Sequence, residues 1–313
     1  RADLEAKVLL AVGDPVTRFQ EDSLRILRGV RFAVKYGLSV DPATESAMES
    51  QAHLMDNLAE ERIFDELCKL LPLVSAEDLC RFAPILGAVI PELQPMIGFD
   101  QHSPHHAYDL FTHTAHVTAG VSADLTLRWA ALLHDTGKVA AFTRDESGRG
   151  HFYGHAQKSA EIADEVLRRL KAPTVLREQA VLLIGQHMTT LTPDKKLLRR
   201  RVSRLGWDTL DALLTLQEAD MGGKGTGITE GGDVFPEIRA VLAEIRAENA
   251  CLTVKDLAVN GNDLLALGYR GKAIGETLNA LLEGVLDETL PNERQALLDR
   301  ARQEIKNDGI PSE

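Results

Sequence analysis

Apolar residues recur at spacings of three and four along nearly the whole chain, and this spacing excludes most fold classes. The pattern runs through 24–36, 59–73, 125–133, 159–170, 175–187, 208–219, 236–247 and 274–286. A period near 3.6 gathers such residues on one helix face, whereas strands need a period of two. Alternating β-branched runs are rare, aromatic residues make up only 5%, and Leu and Ala are abundant. The predicted class is all-α, a set of helical bundles joined by short loops. With 313 residues, 44% hydrophobic and 26% charged, the chain can bury ordinary cores. Three cysteines (Cys68, Cys80, Cys251) without a CxxC spacing exclude a disulfide scaffold and a zinc ribbon, and they fit a reducing, cytoplasmic setting. The most apolar window, Phe82 to Phe99, is broken by Pro84, Pro91, Glu92 and Pro95. No membrane span of about eighteen residues is therefore expected. A formal net charge of -12 argues against a chain-wide basic footprint for nucleic acid.

Punctuation by proline and glycine suggests three parts: a helical segment over 1–85, a histidine-rich part over 86–190, and a part over 191–313 that opens on a basic stretch. Gly222, Gly223, Gly225, Gly227, Gly231 and Gly232 crowd eleven positions, a density that predicts a loop rather than helix.

Eight of the ten histidines lie between 102 and 155, where even spreading would place about two. Such clustering calls for a chemical reason. The apolar helix from Leu125 to Leu133 delivers His134 and Asp135 at its end, followed by Gly137 and Lys138. Consecutive helical side chains point about 100° apart, so this pair can chelate only where a partner converges on it. The stretch from His106 to His116, with Asp109 and His113 inside it, is expected to supply the partner on a helix of its own, and His155, His187 and Asp220 follow downstream. His102, His105, His106, His116 and His151 read instead as loop residues or as outer partners of ligands.

These residues resemble the HD-domain metal phosphohydrolases, whose pattern is a His, then His-Asp, then a distant Asp, all on helices of a bundle. His113, His134, Asp135 and Asp220 match it in order. His155 and His187 match the additional histidines of binuclear members. The resemblance implies a divalent metal, and Mn, Fe, Co, Ni or Zn all suit imidazole and carboxylate ligands. It also implies phosphoester hydrolysis, in which a metal acidifies a bound water and neutralises phosphoryl oxygens. Lys138 is the expected catalytic phosphate contact.

The first part carries a second pattern. Asp22, Arg25 and Arg28 recur every three residues beside an apolar side made by Leu24, Leu27, Val30 and Val34. They form either a salt-bridged surface helix, worth ~0.3 kcal/mol per pair, or a reader of nucleobase edges. A helix start is expected at Glu21-Asp22-Ser23, with its acids in the first turn. The run Val12-Gly-Asp-Pro15, then Arg18-Phe19, then Glu21-Asp-Ser-Leu-Arg25-Ile-Leu-Arg28-Gly-Val-Arg31-Phe32 resembles the bacterial CCA-adding tRNA nucleotidyltransferases and their poly(A) polymerase relatives. In that family an Asp and an Arg on a neck helix bond the base of incoming CTP or ATP. Those roles fall on Asp22 and Arg25, with Arg28 as a further nucleotide contact. Glu61-Arg62-Ile63 and Glu66-Leu67 match a motif read here as structural support for the neck helices.

The similarity continues through the basic stretch and through Val259-Asn260-Gly261-Asn262-Asp263 to Lys272-Ala-Ile-Gly275. It implies a helical neck over 1–85, an HD domain over 86–190 and a helical body and tail over 191–313. Lys195, Lys196, Arg199, Arg200, Arg201 and Arg204 place six cations in ten residues, either a solvated helix face or a tRNA phosphate contact. The turn at Gly261 and the helix start near Gly275 are expected to offer backbone N–H groups to phosphates. The family's Gly-Gly loop and Asp-x-Asp metal pair do not precede Asp22. The chain is thus expected to be a carboxy-terminal portion whose parent uses Mg, CTP and ATP on tRNA. Two other readings stay open on sequence: an idle HD domain in a tRNA-binding scaffold, and a free-standing HD nucleotide hydrolase.

Overall fold

The computed structural model describes residues 5–102, 107–146, 148–225 and 234–308. Helix accounts for 67% and strand for 3%, which bears out the all-α class. The chain forms two compact units, one from 1–189 with 211–230 and one from 190–210 with 231–313.

The first unit opens on β1 (Val8–Leu9), α1 (Pro15–Glu21), α2 (Leu24–Tyr36), β2 (Ser39–Val40), α3 (Pro42–Ser50), α4 (Glu60–Leu70), α5 (Ala76–Arg81) and α6 (Ala83–Val89). It continues with α7 (Leu110–Gly120), α8 (Leu125–Leu133), α9 (Lys138–Ala141), β3 (Thr143–Arg144), β4 (Gly150–His151), α10 (His155–Arg169) and α11 (Thr174–Gln186). β1 runs parallel to β2 with Val8 opposite Ser39, and β3 pairs antiparallel with β4 with Thr143 opposite His151. Then come α12 (Lys195–Leu205), α13 (Trp207–Gly222), α14 (Phe235–Ala247), α15 (Gly261–Ala266), α16 (Lys272–Leu286) and α17 (Arg294–Asp308). From Asp211 onward α13 belongs to the first unit.

Short polar side chains decide where several helices begin. Asp14 accepts from Thr17 N at 2.8 Å, Asp41 from Thr44 N at 3.0 Å, and Asp124 from Leu127 N at 3.0 Å. Asp109 takes both Phe111 N and Thr112 N. Each cap satisfies a donor that the first turn leaves open and contributes ~1 kcal/mol. The Asp14-Pro15 start has a consequence for the neck. It nucleates α1, so Glu21 and Asp22 end that helix instead of opening α2, which begins at Leu24.

The core that positions the histidines is centred on α8. Leu127, Trp129, Ala130, Ala131, Leu132 and Leu133 are all buried, and Trp129 stacks on Phe64 at 5.6 Å. A helix apolar on every side belongs at the middle of a bundle. α8 packs against α7 and α11, and α11 packs against α10. The end of α8 is therefore where side chains from several helices can meet. Helix α13 runs on through Gly222, so the first glycine of the cluster ends a helix rather than a loop. Gly227, Gly231 and Gly232, like His105 and His106, lie outside the described residues. Among the described residues no helix is long and apolar enough to cross a membrane.

Candidate metal centre

His113 is the fourth residue of α7, His134 and Asp135 directly follow α8, His155 opens α10, His187 follows α11, and Asp220 sits in the last turn of α13. The bundle brings all six together. Asp135 is the hub. Its Oδ2 lies 3.4 Å from His113 Nε2 and 3.2 Å from His134 Nε2. Its Oδ1 lies 3.4 Å from His155 Nε2 and 3.8 Å from His187 Nε2. Asp220 Oδ1 is 3.0 Å from His113 Nε2 and 3.8 Å from His134 Nε2. Two groups with metal-ligand spacing share Asp135: His113, His134 and Asp135, and Asp135, His155 and His187.

Hydrogen bonding at the far side of each ring fixes what faces the centre. His113 Nδ1 bonds Gly223 O at 3.0 Å, and His134 Nδ1 bonds Ala131 O at 2.7 Å. His155 Nδ1 bonds Phe152 O at 2.8 Å, and His187 Nδ1 bonds Ile184 O at 2.6 Å. A carbonyl only accepts, so each Nδ1 carries the proton and a neutral ring turns its Nε2 lone pair inward. His155 Nε2 and His187 Nε2 face each other at 3.3 Å. His134 Nε2 and both Asp135 oxygens are buried without a well-formed hydrogen bond. Lone pairs and carboxylate oxygens this close, out of water, repel unless positive charge lies between them, and backbone-oriented imidazoles beside carboxylates suit a divalent metal.

Without a metal, protons fill part of that role. Burial disfavours the charged ring of His134, yet Asp135 and Asp220 outweigh it and raise the pKa to about 10. His113 is likewise raised by the same two carboxylates against burial. Burial works to raise Asp135, but His134 and Lys138 hold it well below the usual carboxylate range. His187 goes the other way: burial, then the charge on His134, lowers it to about 4. His187 therefore keeps a bare Nε2 lone pair at neutral pH.

Lys138 is buried, with Nζ 2.7 Å from Asp135 Oδ2 and 3.1 Å from Gln101 Oε1. Its ammonium is anchored in the wall of a cavity of about 290 Å³ that also exposes Asp135, His155, His187 and Asp220. Several supporting residues escaped the sequence reading. Gln101 is 1% exposed and holds Lys138. Gln217 donates to His187 O and Thr189 O, fixing the strut behind His187. Gly137 permits a close approach, since a Cβ there would meet Ser159 N at 2.6 Å and His155 O at 2.7 Å. Only the Gly137 step after His-Asp hinted at this in the sequence. The hydrogen bond from Gly137 N to Ser159 Oγ closes the same contact.

Known proteins agree with this architecture. An HD domain family model matches residues 110–215, and a tRNA nucleotidyltransferase domain 2 model matches 229–301. A model described as "Probable RNA and SrmB- binding site of polymerase A" matches 37–78. Over 96% of its length the chain is 33% identical to an A-adding tRNA nucleotidyltransferase of Deinococcus radiodurans, and it covers 73% of that protein. The chain belongs to the CCA-adding tRNA nucleotidyltransferase family. A CC-adding tRNA nucleotidyltransferase of Thermus thermophilus is 31% identical over 99% of the chain and 73% of its own length. Among solved structures, a Bacillus stearothermophilus CCA-adding enzyme in complex with CTP matches with a TM-score of 0.66, over 98% of this chain and 68% of that one. At 19% identity the likeness is one of fold.

In this tRNA nucleotidyltransferase chain Asp22 and Arg25 do not pair with each other. Asp22 Oδ1 accepts from Leu24 N and lies 3.6 Å from Arg62 Nη2. Arg25 donates to Glu21 Oε2 at 2.8 Å and to Arg18 O at 3.0 Å. Arg25 and Arg28 line an apolar groove of about 380 Å³ with Val12, Phe19 and Phe32, while Asp22 lies outside its lining. Glu66, buried, receives Arg31 at 2.8 Å and Lys69 at 3.1 Å, with Arg28 at 3.8 Å. Glu66 thus ties α4 to α2, and Arg62 ties α4 to Asp22 at the end of α1.

The basic stretch is α12, capped by Asp194 at Leu197 N. Acids of its own unit engage four of its cations. Lys195 meets Glu248 at 2.5 Å, Lys196 meets Asp287 at 3.1 Å, and Arg200 meets Asp287 at 2.5 Å. Arg199 pairs with Glu248 at 3.0 Å and with Glu288. Arg201 and Arg204 make no ion pair among the described residues, and both line a cleft of about 310 Å³ on this helix. Further on, Asn260 caps α15 by taking Asn262 N and Asp263 N, so those N–H groups are already used. Gly275 lies inside α16, which starts at Lys272 without a side-chain cap.

Proposed function

We propose that this chain serves tRNA 3′-end maturation and repair in the cytoplasm, and that its buried histidine–aspartate centre is a divalent-metal phosphohydrolase site. One observation carries the second half: four imidazoles, each anchored through Nδ1 to a carbonyl, turn Nε2 onto a shared Asp135. His113, His134, Asp135 and Asp220 are positioned to hold one ion, and Asp135, His155 and His187 a second. Mn, Fe, Co, Ni and Zn all suit these donors. A bound divalent ion would supply charge neutralisation for phosphoryl oxygens and a more acidic water. The chain's own part is to fix the donors, keep water out on the side of α8, and place the Lys138 charge at the cavity wall. The substrates we assign are phosphoesters such as 2′,3′-cyclic phosphates at RNA ends. There the water oxygen forms a bond to phosphorus, one ring P–O bond breaks, and the freed ribose oxygen takes up the proton that the water gives up.

For the tRNA role, the family relationship supports neck residues Asp22, Arg25 and Arg28 (within 1–85) as nucleobase contacts for CTP or ATP. It supports the 191–313 body, through Arg201 and Arg204, as a tRNA phosphate contact. Nucleotide transfer by the whole enzyme uses Mg. Residues 86–190 with Asp220 then form the hydrolase part. The test is metal analysis of the purified chain with hydrolysis of 2′,3′-cyclic AMP under Mn, Ni or Co. Metal-dependent turnover lost in His134→Ala is expected. No bound metal, with turnover surviving His134→Ala, would refute the site.

A further inference from the structure

At the rim of the metal cavity stands Tyr153, with 80% of its surface exposed. It lines the same cavity as Asp135, His155 and His187, together with His151, Arg149, Met188 and Lys224. An exposed ring is unremarkable alone, but this one is held in place. It lies parallel to the His151 ring, with centroids 5.4 Å apart and planes 5° apart. His151 is itself fixed, because its Nε2 meets Asp145 Oδ2 at 2.8 Å. That leaves His151 Nδ1 to accept from Tyr153 Oη at 3.4 Å. The β3–β4 hairpin carries His151, so the stack rests on paired backbone rather than on a free loop. The spacing to the centre is set by covalent chain. Phe152 O orients His155, and Tyr153 stands between those two anchors. A second apolar side chain, Met188, follows His187 directly and is 59% exposed. Two large apolar groups therefore sit open to water within two residues of metal-facing histidines, with cationic side chains on the same wall.

We infer that Tyr153, stacked on His151, is a platform for a nucleobase, which makes the centre selective for nucleotides over base-free phosphoesters. Flat rings stack on flat rings whatever the base, so the platform reads the presence of a base rather than its identity. Arg149 and Lys224 fit the phosphate end of the same ligand. The inference rests on the phosphohydrolase reading above and names its substrate class.

The experiment compares 2′,3′-cyclic AMP with its base-free counterpart, 1-O-methylribose 2′,3′-cyclic phosphate, on the Mn-loaded full chain. The expected result in Tyr153→Ala is a rise of about tenfold in the ratio of KM for the nucleotide to KM for the base-free ester. Tyr153→Phe keeps the wild-type ratio and Tyr153→Leu behaves like Tyr153→Ala, because only the aromatic face stacks. An unchanged ratio in Tyr153→Ala overturns the platform, as does an equal rise for both esters. If wild-type protein hydrolyses neither ester, the phosphohydrolase reading fails on its own, and calorimetric binding of 2′-AMP against 1-O-methylribose 2-phosphate decides the platform. A preference of about tenfold for the nucleotide that is lost in Tyr153→Ala sustains it. Equal affinities for the two ligands overturn it.

Discussion

Divalent-metal binding at the centre should tighten steeply as pH rises, because the ion must displace protons that the metal-free site holds. Burial would lower His134, yet Asp135 and Asp220 raise it to about 10. At pH 7 that ring is protonated, and freeing it takes ~4 kcal/mol out of the binding free energy at 1.4 kcal/mol per pH unit. His113 is raised by the same carboxylates and adds in the same direction. His187, lowered to about 4 by burial and by His134, is already neutral and releases nothing. Metal uptake near neutral pH should therefore release about one to two protons per centre. Each released proton makes the apparent affinity about tenfold stronger per pH unit, so a rise from about pH 6 to about pH 8 should tighten Mn binding by roughly 100-fold or more. Calorimetric titration of the metal-free chain in buffers of contrasting ionisation enthalpy counts those protons directly. Equal affinity at both pH values, with heats independent of the buffer, would refute the proton-filled centre.

Three further outcomes follow from the same geometry. In the chelated protein, the stabilisation from His134 is complete below its unfolded pKa of about 6.5 and is lost as pH rises towards about 10. The contribution of neutral His187 is present above about 6.5 and is lost as pH falls towards about 4. Its Tm should thus fall on both sides, and metal should abolish the alkaline loss; a metal-free Tm that climbs from pH 6.5 to 9 contradicts this. Gly137→Ala forces backbone apart at 2.6 Å and should cost ~1–3 kcal/mol of stability, read from urea unfolding, while weakening metal retention through His155. In a salt titration of tRNA binding, Arg201→Gln and Arg204→Gln should each lower the log–log slope by about one. Arg200→Gln, whose partner is Asp287, should instead lower Tm with little change in slope; the reverse pattern would reassign the contact.

Much of the bundle was legible because helix periodicity is local. The segments at 24–36, 125–133 and 236–247 became α2, α8 and α14 within a residue at either end. Short helices escaped: α5 and α6 span too few turns to show a period, and α1 was hidden because Asp14-Pro15 reads equally as a turn. At the centre, residue type and order were enough to gather six donors, since each sits at or near a helix end. What the order could not supply was orientation. The carbonyls that hold each Nδ1 lie within three residues for His134, His155 and His187, but His113 depends on Gly223, 110 positions away. Gln101 left no signal, because one buried glutamine in a loop has no periodic or motif context.

The basic stretch and the histidine cluster were both dense in charge or donors, yet the structure treats them oppositely. On α12, four of six cations, Lys195, Lys196, Arg199 and Arg200, pair with acids supplied by the same unit. At the end of α8, four imidazoles and two carboxylates crowd together, with the Lys138 ammonium against Asp135. The first cluster is largely balanced by its own fold, with Arg201 and Arg204 outside its ion pairs among the described residues. The second carries an excess of donors that burial makes costly, and a divalent cation relieves that cost. Density along the sequence thus marks both clusters equally, while the balance of charge after folding separates a helix held mainly by its own ion pairs from a buried centre with the donor set of a metal site.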